Sequence, residues 1–514
     1  MKKFICIFLS FIFIISLAAC VNDGDDETDT TSQQNTEQTT GDESDNTTSA
    51  ETLKNTQLSL PYNAADGLDP YTLKTEMNHD LTTLLYDSLY KLDSSFSPVA
   101  VLADSGKVSD KSVTIKIKSG VKFSDSTALS TSDVVYSFKL AKESDNYGEQ
   151  LENFDSAYAE NSKTVVFKLS NSDIYALNCL TFPIVKSGSS ADGKAIGSGR
   201  YYLSSGKLKA NKNHVSGEKA SISKISLFNI KNSNDEFGCL QIGEISFAYR
   251  SLSDCNIERI VATTKDVPLN NLVYIGMKST KGLLKDSKLR RIISCAVNRA
   301  DIADTAFNGY ATAAKTPFNP LWKEVPSSPT AEYSAQDIAK MLDESGYAYQ
   351  NDTDKHRKNS AGKDLILTLA VNKDNDFKLQ AAKMIQSDLQ TAGIEIQIIK
   401  LDRKELKKAA RKGKYDMYIG EIKLCGNMSL SPFFDENGSV AYYIDKNLAT
   451  VSAYNKLVSG KIKIEEFVNT FNTDIPFVPL CYREGLAAIS NTLEDNVSVC
   501  EGDLFSNIYE WKFK

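Results

Sequence analysis

The pattern that most constrains this chain lies between residues 365 and 419, where apolar segments alternate between strand and helix periodicity. The strand-like segments are 365–371, 394–399 and 415–419; one helical segment runs through Ala382, Ile385 and Leu389, and the next is capped by Asp402. Strand, helix, strand, helix, strand with short links is typical of a sheet layer covered by helices. The sequence therefore predicts an α/β protein.

The N-terminus carries an export signal. Lys2 and Lys3 precede an apolar run at 4–17, which is too short to span a bilayer but has the length of a signal-peptide core. The run ends in Leu17-Ala18-Ala19-Cys20, which resembles a bacterial lipobox, so we expect residues 1–20 to be a lipoprotein signal peptide. In that interpretation Cys20 becomes the diacylated first residue of the mature chain and anchors it to the membrane.

A polar segment follows the signal. Residues 21–51 contain ten acids, no base and one apolar side chain larger than alanine, so they cannot form a core. We interpret 21–53 as a disordered acidic tether. The first 51 residues have a net charge of −8. Because the whole chain has a net charge of −7, the remaining 463 residues sum to +1. A nearly neutral folded part argues against nucleic acid as a partner.

The sequence carries few of the motifs that indicate metal binding or catalysis. The chain has three scattered histidines and no CxxC or HExxH pair, so we expect no metal and no cofactor. Seven irregularly spaced cysteines after Cys20 argue against a disulfide framework. There is no phosphate-binding loop and no G-x-S-x-G. The S-x-x-K pairs at 204–207 and 221–224 follow the S-D-N at 144–146, the reverse of the order in penicillin-recognising hydrolases, so we expect no catalysis.

Six segments, in the right order, resemble the family 5 bacterial extracellular solute-binding proteins, which include the oligopeptide and dipeptide receptors of ABC importers. They are LYDSLYKLD at 85–93, VSD at 108–110, IKIKSGVKFSDST at 115–127, LSTSDVVYSF at 129–138, GSGRY at 197–201 and RRIISCAVNR at 290–299. Each match alone is weak, but their order over most of residues 57–514 indicates the family. The motifs themselves are typical of fold maintenance rather than of ligand contact.

The resemblance implies a two-lobed, periplasmic-binding-protein-like fold of type II, with an extra inserted domain and a ligand cleft between the lobes. Transferred to this chain, lobe one combines 54–92, 198–272 and 486–514. The inserted domain of lobe one is 93–197, and lobe two is 273–485.

The resemblance also implies which segments face each other across the cleft. One is Lys74, Thr75, Glu76, Met77 and Asn78; the other is the loop 421–429 with Glu421, Lys423, Leu424, Cys425, Gly426 and Asn427; Tyr482 follows a returning strand. Peptide-binding members hold the peptide ammonium with an aspartate in the loop, and this loop has none. Three interpretations stay open: Glu421 binds an ammonium, Lys423 binds an anionic group, or neither touches ligand.

These expectations combine into a function. The chain is expected to be a monomeric lipoprotein, anchored outside the cytoplasm at the cell surface or the periplasmic face of the membrane. It would capture a small solute, with short peptides as the default ligand, and deliver it to an ABC permease and its ATPase subunits. Two alternatives are an exported hydrolase and a surface adhesin or sensory binding protein on the same fold.

Overall fold

A computed structural model describes residues 57–253, 260–326 and 333–514 of the chain. The predicted signal peptide, the lipidation site Cys20 and the acidic tether lie outside the described residues. Within the described part, no helix is both long and apolar enough to cross a bilayer.

The strands fall mainly in two stretches of the chain, before residue 280 and after residue 365. They are β1 Ser59–Tyr62, β2 Tyr90–Leu92, β3 Pro98–Ala100, β4 Ala103–Ser109, β5 Ser112–Ile117, β6 Phe154–Ala159, β7 Thr164–Leu169, β8 Tyr201–Ser204, β9 Lys207–Ala210, β10 Lys224–Asn229, β11 Phe247–Ser251, β12 Thr263–Met277, β13 Ala311–Ala313, β14 Ile366–Asn372, β15 Glu395–Leu401, β16 Met417–Lys423 and β17 Phe477–Ile489.

The helices are concentrated in the second half of the chain. They are α1 Glu76–Leu85, α2 Thr131–Glu143, α3 Glu236–Gln241, α4 Ser287–Ala296, α5 Arg299–Asp301, α6 Ala335–Glu344, α7 Asp376–Thr391, α8 Arg403–Arg411, α9 Ser431–Phe434, α10 Ala449–Val458 and α11 Ile464–Asp474. Reciprocal capping boxes start α2 at Ser130, α6 at Ser334 and α8 at Asp402, the last being the cap predicted from the sequence.

The largest sheet has the order β11-β17-β12-β16-β14-β15, with β13 also paired to β17. Strand β14 pairs in parallel with both β15 and β16, and α7 and α8 connect them as predicted from the alternation at 365–419. Two four-stranded sheets, β1-β10-β9-β8 and β4-β5-β7-β6, precede it in the chain. The predicted α/β fold class is confirmed.

Two long antiparallel strands connect the two halves of the molecule. β12 and β17 pair along most of their length, with an irregularity between Pro268 and Leu272. Before the irregularity the pair is extended by β11, and after it by β16 on one side and β13 on the other. A local break in a two-strand connection is a natural place for two lobes to change their relative angle.

Separate cores lie on the two sides of this break. The first, around Leu60, Phe167 and Trp511, draws on residues 58–269 and 487–511, so the predicted inserted domain shares a core with lobe one. The second and third, around Ile293 and Phe433, draw on residues from 272 to 482, with Phe96 reaching in from the inserted segment. The exact domain boundaries stay predictions.

Steric crowding explains why glycine is needed in the Gly197-Ser198-Gly199 segment (the GSG corner). A Cβ on Gly199 would lie 2.3 Å from the backbone carbon of Leu85, at the end of α1. Only glycine permits this approach, through which the amide of Gly199 donates to the carbonyl of Leu85 at 3.1 Å.

Candidate functional site

A cavity of about 550 Å³ lies where the two halves of the molecule meet at the middle of β12. Its wall includes one face of α1, the turn of chain after β16 and the C-terminal segment 499–506, with Pro268 and Asn270 of β12 also lining it. Sites for small molecules are typically concave and about 300–1,000 Å³ in volume. The cavity therefore has the size and position of a ligand site.

One face of α1 turns polar side chains toward the cavity. His79, Asp80 and Thr83 line it, and Glu76 lies one turn before Asp80 on the same face. Met77, Leu81 and Leu84 are buried on the opposite side of the helix. The apolar face thus fixes the helix against the protein while the polar face stays open to a ligand.

Carboxylates crowd this end of the cavity. Enclosure by protein, together with the neighbouring charges of Glu76 and Glu236, raises the pKa of Asp80 well above its ordinary value. Burial, opposed by Arg250 and reinforced by Glu76, raises the pKa of Glu236 to about 8. Enclosure also lowers the pKa of His79 to about 4, with Lys423 acting in the same direction, so its imidazole is neutral at pH 7.

A lysine from the other lobe reaches into the same space. Lys423 ends β16, and its side chain is 66% exposed although it lies within the cavity wall. Its ammonium pairs with Glu501 at 2.7 Å. The second carboxylate oxygen of Glu501 accepts from the amide of Asn270 at 2.7 Å. These contacts join the end of β16, the middle of β12 and the C-terminal segment at one point.

The chain after β16 also touches the inserted segment. The Asn178 side chain donates to the carbonyl of Gly426 at 3.0 Å, and the Asn427 side chain donates to Asp173 at 2.7 Å. The side chain of Asn270 donates to the carbonyls of Leu424 and Cys425 at 3.0 and 3.1 Å. The loop therefore forms part of the wall that closes the cavity.

Four of the residues predicted to bind ligand line the cavity: Lys423, Leu424, Cys425 and Gly426. Glu76 does not line the cavity directly. It is an exposed residue beside the cavity, and its carboxylate interacts electrostatically with Lys423 and Glu501. For these five residues ligand contact stays a prediction.

The remaining residues of the predicted 74–78 segment do not line this cavity, and their contact with a ligand stays a prediction. The amides of Lys74 and Thr75 donate to Asp66, which organises the turn before α1. Met77 is buried in a small apolar cluster, and Asn78 is fully buried with its side chain bonded to Asn63 and Gly67. Alternate residues of a helical turn face opposite ways, so a contiguous run could not all face the cleft.

Three further predicted residues also have other partners. Glu421 pairs with Lys378 of α7 at 2.7 Å, and both side chains are only 9% exposed. Tyr482 is buried, and its hydroxyl donates to the carbonyl of Pro317 at 2.8 Å. Asn427 is bound to Asp173 as described. None of the three lines the cavity, and the interpretation of Glu421 as the ammonium ligand stays a prediction.

Sequence reasoning missed His79, Asp80 and Glu501. The first two could have been found, because Glu76, His79 and Asp80 have the i, i+3, i+4 spacing of one helix face. Glu501 carried no such signal, since it lies far along the chain from α1 and β16.

Replacing Glu421 with glutamine separates a structural from a binding role. We expect Glu421→Gln to lower the free energy of unfolding by about 1–3 kcal/mol, because the buried ammonium of Lys378 loses its carboxylate. Lys423→Met should change stability by less than about 1 kcal/mol, since the lysine side chain is largely exposed. Urea unfolding of both variants checks this. An unchanged stability with weaker ligand binding in Glu421→Gln would return that residue to the ligand site.

No three or more histidine, cysteine or carboxylate side chains are arranged to hold a metal ion within residues 57–253, 260–326 and 333–514. The six cysteines in these ranges carry free thiols.

Comparison with known proteins finds a matching family model, relatives in sequence and solved structures with a similar fold. Residues 97–434 match the model of bacterial extracellular solute-binding proteins, family 5 middle. The chain is 28% identical over 352 residues to the oligopeptide-binding protein AppA of Bacillus subtilis, covering 62% of this chain and 64% of that protein. It is 23% identical to the glutathione-binding protein GsiB of Shigella dysenteriae, over 83% and 88% of the two chains. A solved nickel ABC transporter structure from Bacillus halodurans superimposes with a TM-score of 0.70 at 18% identity, over 87% and 98%.

Proposed function

Because this chain belongs to the bacterial extracellular solute-binding proteins of family 5, we propose that it is the substrate-binding protein of an ABC importer. It captures a small solute in the cavity by closure of its two lobes and delivers the solute to a membrane permease with ATPase subunits. The chain makes or breaks no bond in the solute.

The single observation that carries the proposal is the cavity itself. It is walled by α1 and the C-terminal segment on one side and by residues 423–426 after β16 on the other. β12 and β17 connect the two sides, and a register irregularity lies between them. Opening at this break exposes the cavity to solvent, and closure encloses a solute.

A short peptide is the proposed ligand. The Bacillus subtilis relative is named for oligopeptides and the Shigella relative for glutathione. The cavity lies within the usual range for small-molecule sites, and its wall supplies both carboxylates and amines for the charged ends of such a molecule.

Small molecules that copurify with the protein test the proposal. We expect mass spectrometry to detect peptides released from the protein purified under native conditions. Saturating peptide should reduce the radius of gyration in solution scattering. A peptide that is bound without a change in the scattering profile would contradict capture by lobe closure. Release of a chemically altered peptide would favour an exported hydrolase instead.

The lipid anchor is a second part of the proposal. The sequence Leu17-Ala18-Ala19-Cys20 and the polar segment behind it support attachment through Cys20. We expect the wild-type chain to partition into the detergent phase and the Cys20→Ala variant to partition into the aqueous phase. If both forms stay with the detergent, the anchor lies elsewhere.

A further inference from the structure

The charges on the cavity wall are unequal. Seven carboxylate side chains line the cavity against four lysine or arginine side chains. Two of these cations form ion pairs with the same carboxylate, because Arg200 and Lys91 lie 2.6 and 3.8 Å from Asp503. Lys423 is committed to Glu501 at 2.7 Å. A wall with surplus carboxylates attracts a positively charged group.

Asp80 stands out among the surplus acids. Its carboxylate forms no hydrogen bond or ion pair with residues 57–253, 260–326 or 333–514, whereas Asp87 is bonded to His214 and Ser198. Two other lining acids, Glu149 and Glu218, are exposed and so remain solvated, while Asp80 is partly buried. A partly buried carboxylate without a partner is unfavourable, and a cation from outside the protein would relieve it.

From this placement we infer that Asp80 is the docking point for an ammonium or guanidinium group, and that the solute is a peptide of net positive charge. This inference rests on the proposed function and moves the ammonium site from the loop after β16 to α1. Glu76 lies one turn before Asp80 and adds a second negative charge. The neutral ring of His79 stacks on Tyr147, with centroids 5.9 Å apart, and forms a neighbouring part of the wall.

The groups around Asp80 predict a stability signature. It is faced by Glu76 on its own helix, Glu236 on α3, Tyr249 on β11 and Lys423 on β16. A carboxyl group whose pKa is raised in the folded state keeps its proton after the unfolded chain has lost it. Rising pH therefore opposes folding between the ordinary pKa of about 4 and the raised one. Asp80→Asn removes this contribution, so the margin by which its melting temperature exceeds that of the wild type should grow as pH rises above the ordinary carboxyl pKa of about 4.

The binding test uses the full chain in detergent and an equimolar library of randomised free tripeptides, with an N-acetylated copy of the same library. We expect the wild type to enrich peptides that contain lysine or arginine, and Asp80→Asn to bind the selected peptides about 10- to 100-fold more weakly. Asp155→Asn, which removes an exposed acid on β6 outside the cavity, is the matched control and should bind as the wild type does.

The outcomes separate this inference from the proposed function. Retention of no tripeptide by the wild type would overturn the peptide ligand and the inference together. Retention without enrichment of cations, or binding that Asp80→Asn leaves unchanged, would overturn only the role of Asp80. Given enrichment of lysine- or arginine-containing peptides, loss of binding on acetylation assigns the peptide amino terminus as the group at Asp80, and retention of the acetylated cationic peptides assigns their side chain. A melting temperature of Asp80→Asn that falls below the wild type at every pH would indicate a structural role instead.

Discussion

Arg200→Met is expected to lower the free energy of unfolding by about 3–5 kcal/mol, the range for removing one partner of a buried ion pair. Arg200 follows the GSG corner, and its guanidinium pairs with Asp503 at 2.6 Å, with side-chain exposures of 10% and 7%. The same guanidinium donates to the carbonyls of Thr83, Phe505 and Ser506. Its loss leaves Asp503 with the more distant Lys91 and the amide of Phe505, and it removes the bonds through which Arg200 joins α1 to the C-terminal segment.

Urea unfolding of the wild type and of two variants measures this effect. The matched control is Asp104→Asn, which breaks the exposed pair with Lys116 at 3.2 Å, where the side chains are 50% and 55% exposed. We expect the control to change stability by less than about 0.5 kcal/mol. Equal effects of the two substitutions would show that the buried pair does not hold these segments together.

The second large effect is expected from Gly426→Leu, which should prevent the lobes from closing. Gly426 lies where the loop after β16 meets the inserted segment, and a Cβ there would approach the carbonyl oxygen of Asn178 to 2.8 Å. A methyl carbon of Leu92 would lie at 2.7 Å. A backbone oxygen cannot move aside as a side chain can, so a leucine forces the two surfaces apart. If the substitution lowers the fraction of closed molecules about 100-fold relative to the wild type, the apparent Kd rises about 100-fold.

Solution scattering at saturating peptide checks the closure, and titration with a peptide identified from native material checks the affinity. The variant should show a larger radius of gyration than the wild type and a folded circular dichroism spectrum. Gly238→Ala is the control, because a Cβ on that α3 glycine meets no atom within 4 Å. An unchanged radius together with unchanged affinity would contradict a role of this contact in closure.

The local elements were largely predictable from the sequence. Each capping box is a bond between a residue and one three positions later, and the α7 and α8 crossovers follow from apolar spacing within a few turns. The solute-binding family was also recognisable, because its motifs maintain turns and close contacts that one short segment can encode. Gly199 beside the end of α1 is an example.

The candidate site was only partly predictable. The loop at 423–426 was identified through the family, but Glu421 of the same strand pairs with Lys378 instead of facing the cavity. Successive strand residues point to opposite faces, and the face that each meets depends on how the sheet packs. The 74–78 segment and the start of α1 divide between two faces for the helical version of the same reason, since Asn78 turns into the protein while Asp80 lines the cavity.

By itself, therefore, the sequence determined the α/β class, the helix starts, the family and the general position of one cavity wall, because these depend on neighbours a few residues apart. The tertiary structure decided which acids are free to meet a ligand. Lys423 meets Glu501, Arg200 meets Asp503 and Asp80 is left without a partner in the described part of the chain. Such pairings join segments tens to hundreds of residues apart, and only the folded path of β12, β17 and the C-terminal segment brings those charges within reach of one another.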